Sequence, residues 1–83
     1  MEKVTGQQNI KGNKNRIGEN LVRIRKMRGI SQQELSQMLA EVGCNISMTG
    51  ISRIEQGNRR AYDFEVFYLC KVLQVSMEEL YFG

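Results

Sequence analysis

Apolar residues recur every three or four positions along most of this chain, and glycines or polar clusters interrupt the recurrence. This spacing places apolar side chains on one face of a helix and predicts an all-α fold built from short amphipathic helices. The predicted helices cover residues 16–28, 32–42, 48–56, a segment capped by Asp63 and reaching Leu73, and 77–82. The side chains predicted to form the buried faces are Ile17, Leu21, Ile24, Leu35, Leu39, Val42, Ile51, Ile54, Val66, Phe67, Leu69, Cys70 and Leu73.

Residues with specific roles at helix ends lie at the predicted boundaries. Ser31 and Glu34 are typical of a capping box, in which each side chain accepts a hydrogen bond from the backbone N–H of the other residue. Ser76 and Glu79 repeat this arrangement before the last helix. The glycines that follow the first three helices, where a left-handed cap favours glycine, are Gly29, Gly43 and Gly57.

The third predicted helix has a polar outer surface. If the helix starts at Ser47, then Ile51 and Ile54 lie on its inner face. The side chains left facing outward are Met48, Thr49, Ser52 and Arg53. A short helix with such a face fits the major groove of B-DNA, which is about 12 Å wide. The segment therefore predicts sequence-specific DNA binding.

The composition narrows the function classes. The chain has no histidine, the commonest general base, and its two cysteines, Cys44 and Cys70, form no CxxC pair. We therefore expect no enzyme activity, no metal and no cofactor, and we interpret both cysteines as small buried residues rather than disulfide partners. No apolar run is long enough for a transmembrane helix or a signal peptide, so we expect a cytoplasmic protein.

The charge is divided unevenly along the chain. Through Arg60 there are eleven Lys/Arg and five Asp/Glu, a net charge of +6, and from Ala61 onward there is one lysine and four acidic residues, a net charge of −3. A basic part of this kind is expected of a polyanion binder, although an ordinary solvated surface is the alternative. Residues 1–15 are predicted to be a flexible basic arm, and residues 16–83 a single domain.

Three segments in this order and spacing resemble the phage repressor/Cro family of helix-turn-helix regulators, also called the XRE family. They are IGENLVRIRKMRGISQQELS, ISMTGISRIEQGNRR and VLQVSMEELYF, and the similar region spans residues 17–82. The resemblance implies a five-helix bundle in which the second and third helices form the DNA-binding motif. One departure lies between Leu39 and Asn45, where the residues AEVGC exceed the usual tight turn. We infer that the second helix is extended by about a turn.

The resemblance also implies which side chains face the bases, because the first residues of the third helix enter the groove in this family. By position these are Ser47, Met48, Thr49, Ser52 and Arg53. Arg53 is the strongest candidate, since a guanidinium can bind O6 and N7 of guanine together. A phosphate contact or a solvated arginine is the alternative for Arg53. Met48 and Thr49 suit a thymine methyl group, although Met48 would equally fill a gap in the core.

Other positions match phosphate-contacting and structural residues of the family. Gln32, at the start of the second helix, resembles a phosphate-contacting glutamine. Asn58, Arg59 and Arg60 resemble a second phosphate-binding segment, with a solvated loop as the alternative. Arg25 and Glu55 match positions that form an ion pair, so we do not count them as DNA contacts.

Two functions from different classes remain open. The first is a transcriptional regulator, expected to be a repressor, that binds double-stranded DNA as a homodimer. The second is a protein-interaction module with the same fold, such as an antitoxin-like partner protein. The basic segment after the third helix favours the first. We expect no membrane association and no small-molecule ligand within this chain.

Overall fold

Five α-helices follow one another along residues 16–83, the part of the chain that this computed structural model describes. They are α1 Arg16–Met27, α2 Gln32–Glu41, α3 Met48–Gln56, α4 Asp63–Leu73 and α5 Met77–Phe82. Within these residues there is no strand, and the predicted all-α class with five helices is confirmed. The predicted basic arm, residues 1–15, lies outside the described residues.

One core joins all five helices. Helix α1 packs against α3 and α5, α2 packs against α3 and α4, and α4 packs against α5. The buried apolar side chains are Leu21, Ile24, Leu35, Leu39, Cys44, Ile46, Ile51, Ile54, Val66, Leu69, Leu73 and Leu80. Cys44 and Ile46 come from the connection between α2 and α3, which the helical pattern did not assign to the core. Both cysteines are free thiols, but only Cys44 is fully buried, while Cys70 is half-buried.

The capping boxes hold the helix starts as predicted. Ser31 Oγ accepts from the Glu34 backbone N–H at 3.0 Å, and Glu34 Oε1 accepts from the Ser31 N–H at 2.8 Å. Ser76 and Glu79 make the same pair of bonds before α5. Such reciprocal bonds satisfy N–H groups that the first turn of a helix leaves without partners.

The end of α2 differs slightly from the prediction. The helix ends at Glu41, and Val42 is an exposed C-cap rather than part of the buried face. Gly43 then takes a positive φ of 90°, which reverses the chain so that the Cys44 N–H bonds the Leu39 carbonyl at 2.9 Å. Because the side chain of Cys44 is buried after this reversal, the connection itself contributes to the core.

The start of α4 also differs. Tyr62 is the N-cap, and Asp63 is the first helical residue, whose carboxylate accepts from the Phe64 N–H at 2.7 Å. The predicted cap at Asp63 was therefore wrong by one position. Phe67 was predicted to be buried but is 57% exposed, because the face of α4 that carries it points away from the neighbouring helices.

Helices α1 and α3 approach each other closely at Gly18. A Cβ atom at this position would lie 2.5 Å from the carbonyl oxygen of Ile54 and 2.6 Å from that of Glu55. Only a residue without a side chain allows the start of α1 to lie this close to the end of α3. The contact fixes the orientation of α3 relative to the rest of the bundle.

Candidate nucleic-acid interface

The first turn of α3 is held by its own cap. Ser47 Oγ accepts a hydrogen bond from the Gly50 backbone N–H at 3.0 Å, with Ser47 in an extended conformation. The hydroxyl oxygen of Ser47 therefore has a structural partner, while its proton is available to another acceptor. This cap fixes the direction in which the helix leaves the connection.

The other four candidate base contacts share one side of α3. Met48, Thr49, Ser52 and Arg53 stand at positions that helical spacing brings together. Met48 is 48% exposed, so it does not fill a gap in the core. Ser52 accepts from Gln56 Nε2 at 3.1 Å, whereas Arg53 is exposed and its guanidinium makes no ion pair within residues 16–83. The structure brings these side chains together on an accessible surface.

A buried network links the starts of α1 and α2 to the end of α3. Arg25 Nε donates to Glu55 Oε2 at 2.7 Å, and Arg25 Nη2 donates to Glu55 Oε1 at 3.1 Å. Gln32 Nε2 donates to the same Oε1 at 2.8 Å, so Glu55 also orients the side chain of Gln32. The structure thus contains the pair that the resemblance implied. It holds the first turn of α2 beside the last turn of α3.

The segment after α3 begins with a tight reversal at Gly57, whose φ is 81°. The Asn58 N–H bonds the Arg53 carbonyl at 2.9 Å, and Asn58 Nδ2 bonds Gln56 Oε1 at 3.2 Å. Arg60 is exposed, and its guanidinium has no ion-pair partner in the described part of the chain. The segment therefore offers one cation to solvent directly beyond the recognition helix.

Arg59 does not share the surroundings of Arg60. Its Nη1 donates to Glu65 Oε1 at 2.9 Å, and its Nη2 donates to Glu65 Oε2 at 2.8 Å. This two-pronged ion pair was not predicted. The two residues belong to a loop and the following helix, where neither helical nor strand spacing indicates a contact. The only hint in the sequence is Glu65 itself, an acidic residue in the first turn of α4.

The charge of Glu65 is stabilised although the residue is buried. Burial alone would raise the pKa of its carboxyl group. The hydrogen bonds from Arg59 and from the Tyr62 N–H, together with the positive charge of Arg59, outweigh burial and hold the pKa of Glu65 below its ordinary value of 4.5. Glu65 is therefore a carboxylate at neutral pH, paired with Arg59.

The thiol of Cys44 lies close to this pair. Burial raises the pKa of Cys44, the negative charge of Glu65 raises it further, and Arg59 offsets part of the effect. The thiol is thus protonated at neutral pH and suited to packing rather than to metal binding. Among residues 16–83, no group of three His, Cys, Asp or Glu side chains could hold a metal ion.

Comparisons with known proteins agree with this geometry. A family model described as helix-turn-helix matches residues 21–80, nearly all of the described helices. Searches of curated proteins and of solved structures gave no match. Within residues 16–83, none of the helices has the length and apolar character needed to cross a membrane.

Proposed function

Because this chain belongs to the Cro/C1-type helix-turn-helix family, the XRE family, we propose that it is a transcriptional repressor that reads base sequence in the major groove with α3. The family match confirms the resemblance noted in the sequence. It also makes the protein a DNA-binding helix-turn-helix regulator, of a regulatory rather than an enzyme family. The finer proposal is carried by one observation, the exposed face of α3 with Arg53 beside the exposed Arg60.

The base contacts come from the outer face of α3. Arg53 carries a free guanidinium that can bind O6 and N7 of a guanine, the commonest specific contact in the major groove. Met48 and Thr49 offer methyl groups to a thymine, and Ser52 offers a hydroxyl group to either kind of base. Ser47 keeps its cap and can donate its hydroxyl proton at the same time.

The phosphate contacts come from both sides of α3. Gln32 lies at the start of α2, where backbone N–H groups and the positive end of the helix dipole attract a phosphate. Asn58 and Arg60 reach the backbone from the segment that follows α3. These contacts fix the register of the protein on DNA and leave base recognition to α3.

A homodimer supplies the specificity that one short helix lacks. One recognition helix reads only a few base pairs, whereas two copies about 34 Å apart read successive major grooves of a two-fold-related site. Repression is the simplest consequence, since a bound dimer excludes other proteins from the DNA that it covers. We place the protein in the cytoplasm, where its two thiols stay reduced.

Selection from a random double-stranded DNA library tests the proposal. We expect enrichment of a two-fold-related sequence, and a linear decrease of log K with log salt concentration for the selected site. Lys71→Ala is the matched control, because it removes an exposed cation from α4 rather than from the α3 region. Failure to enrich any sequence, together with binding that salt does not weaken, would favour the protein-interaction module instead.

A further inference from the structure

We propose that Arg59 and Glu65 are positioning residues of the DNA interface, which hold the loop 57–62 in place without contacting DNA. The inference deepens the proposed function and rests on it. It assigns different roles to two adjacent arginines that the sequence treats alike. Arg60 meets the phosphate, and Arg59 fixes where Arg60 stands.

The hydrogen bonds of this pair tie several points of the loop to α4. The two parallel bonds between the Arg59 guanidinium and the Glu65 carboxylate anchor the middle of the loop. Arg59 Nη1 also donates to the Arg60 carbonyl at 3.0 Å, and Glu65 Oε1 accepts from the Tyr62 N–H at 2.9 Å. The backbone on both sides of Arg60 is therefore fixed to the first turn of a rigid helix.

The burial of Glu65 decides against a phosphate contact by Arg59. The side chain of Glu65 is 4% exposed and that of Arg59 is 29% exposed. If Arg59 turned to a DNA phosphate, Glu65 would be left as a buried charge without its partner, and such a loss is far more costly than breaking an exposed ion pair. The phosphate gains nothing comparable, because Arg60 is already available at the surface.

An aromatic side chain also restrains Arg59. The guanidinium carbon of Arg59 lies 5.5 Å from the centre of the Tyr62 ring, within the range of a cation–π contact. The Tyr62 ring in turn stacks on Phe64 at 6.1 Å between centroids. The Arg59 guanidinium is thus held by an aromatic ring as well as by a carboxylate, whereas no contact of this kind restrains the guanidinium of Arg60 within residues 16–83.

Glu65→Gln in the full chain gives the sharpest test, because the two possible roles of Arg59 predict opposite changes. Removal of a negative charge beside a DNA interface would ordinarily tighten binding. If the pair positions the loop, binding instead weakens about threefold to tenfold, since the loop must then be ordered during binding. The slope of log K against log salt concentration stays unchanged, because no phosphate contact is lost.

Three further variants complete the design. Glu78→Gln removes the same charge from an exposed position of α5 and should not weaken binding. Arg59→Lys keeps the positive charge but loses the two-pronged geometry, and it should weaken binding with an unchanged slope. Arg60→Gln should lower the magnitude of the slope by about 0.9, the value for one lost phosphate contact. Arg59→Lys also provides the test if Glu65→Gln does not fold.

The outcomes separate this inference from the proposed function. If Glu65→Gln binds more tightly with a steeper slope, Arg59 has been released to contact a phosphate and the inference is wrong. If Arg59→Lys binds like the parent, the two-pronged pair is not needed and the inference is also wrong. A parent protein that shows no salt-dependent DNA binding would overturn the proposed function itself.

Discussion

Arg53, Arg59 and Arg60 carry the same guanidinium in one short stretch of chain, yet their surroundings give them different capacities. Arg59 is paired with a buried carboxylate, while Arg53 and Arg60 are exposed. The sequence assigned Arg59 and Arg60 one role because Glu65 lies six positions away, across a loop that has no fixed geometry until the protein folds. The free or paired state of a charge is thus a tertiary property that residue type does not reveal.

Arg53→Ala should weaken binding to the best DNA site by about 1–3 kcal/mol and relax the preference at one base pair, the effect expected for loss of a two-pronged base contact. Titrations against the selected site and its single-base variants measure both quantities. Lys71→Ala serves as the control for general loss of positive charge. An equal loss on random DNA would make Arg53 a phosphate contact rather than a base-reading residue.

The stability of the protein should depend on pH through Glu65. Its pKa is lower in the folded state than the ordinary 4.5, so its charge stabilises the fold above that pH. The stabilisation is lost as pH falls below 4.5 and through the lowered folded-state pKa. Urea unfolding of the parent and of Glu65→Gln at several pH values isolates this effect. The difference in free energy of unfolding should be largest near neutral pH and shrink in acid, and a difference that widens in acid would contradict the prediction.

At the scale of elements, local signals predicted most of the bundle. The helical stripes, the two capping boxes and Gly57 placed all five helices within one or two residues of their observed bounds, because each signal acts over one or two turns. The sequence did not predict the burial of Cys44 and Ile46, since a connection has no periodicity. Nor did it predict that Phe67 is exposed, because the apolar face of α4 is wider than the surface that its neighbours cover.

Gly18→Ala should destabilise the protein although alanine favours helices. The added methyl group would meet the carbonyl oxygens of Ile54 and Glu55, and these are backbone atoms that cannot rotate away. We expect the free energy of unfolding to fall by about 1–3 kcal/mol, the usual cost of overpacking. Urea denaturation measures the loss. Lys26→Ala, at an exposed position of the same helix, is the control and should change stability little. Unchanged stability in Gly18→Ala would mean that α1 and α3 can separate freely.

At the scale of the whole molecule, the two ends of the bundle differ in charge and in exposed apolar surface. The α3 region carries exposed cations, whereas α4 and α5 carry the exposed acidic residues Asp63, Glu78 and Glu79. Helices α4 and α5 also expose large apolar side chains, among them Phe64, Phe67 and Met77. An acidic surface does not bind DNA, so a contact between copies of the chain through α4 and α5 leaves both α3 helices available to the grooves.

Helix α5 gives a reason to place a dimer contact there. It spans only six residues, and isolated helices shorter than about 12–15 residues are marginal in water. The sequence suggested that Leu80 and its neighbours exceed what a monomer can bury. Leu80 is fully buried in the core of one chain and Tyr81 is half-buried, which leaves Met77 as an exposed apolar contact candidate on this helix.

We therefore predict a homodimer that Met77→Asp or Phe67→Asp weakens, because a charge buried between two copies without a partner opposes association. Sedimentation at micromolar concentration, with and without the selected DNA, measures the effect. Met48→Asp makes the same kind of apolar-to-acidic change on α3, at an exposed position, and should leave the free dimer intact. A strictly monomeric parent, both free and on DNA, would rule out the dimer. If the parent dimerises and neither Met77→Asp nor Phe67→Asp weakens it, the contact does not lie on α4 and α5.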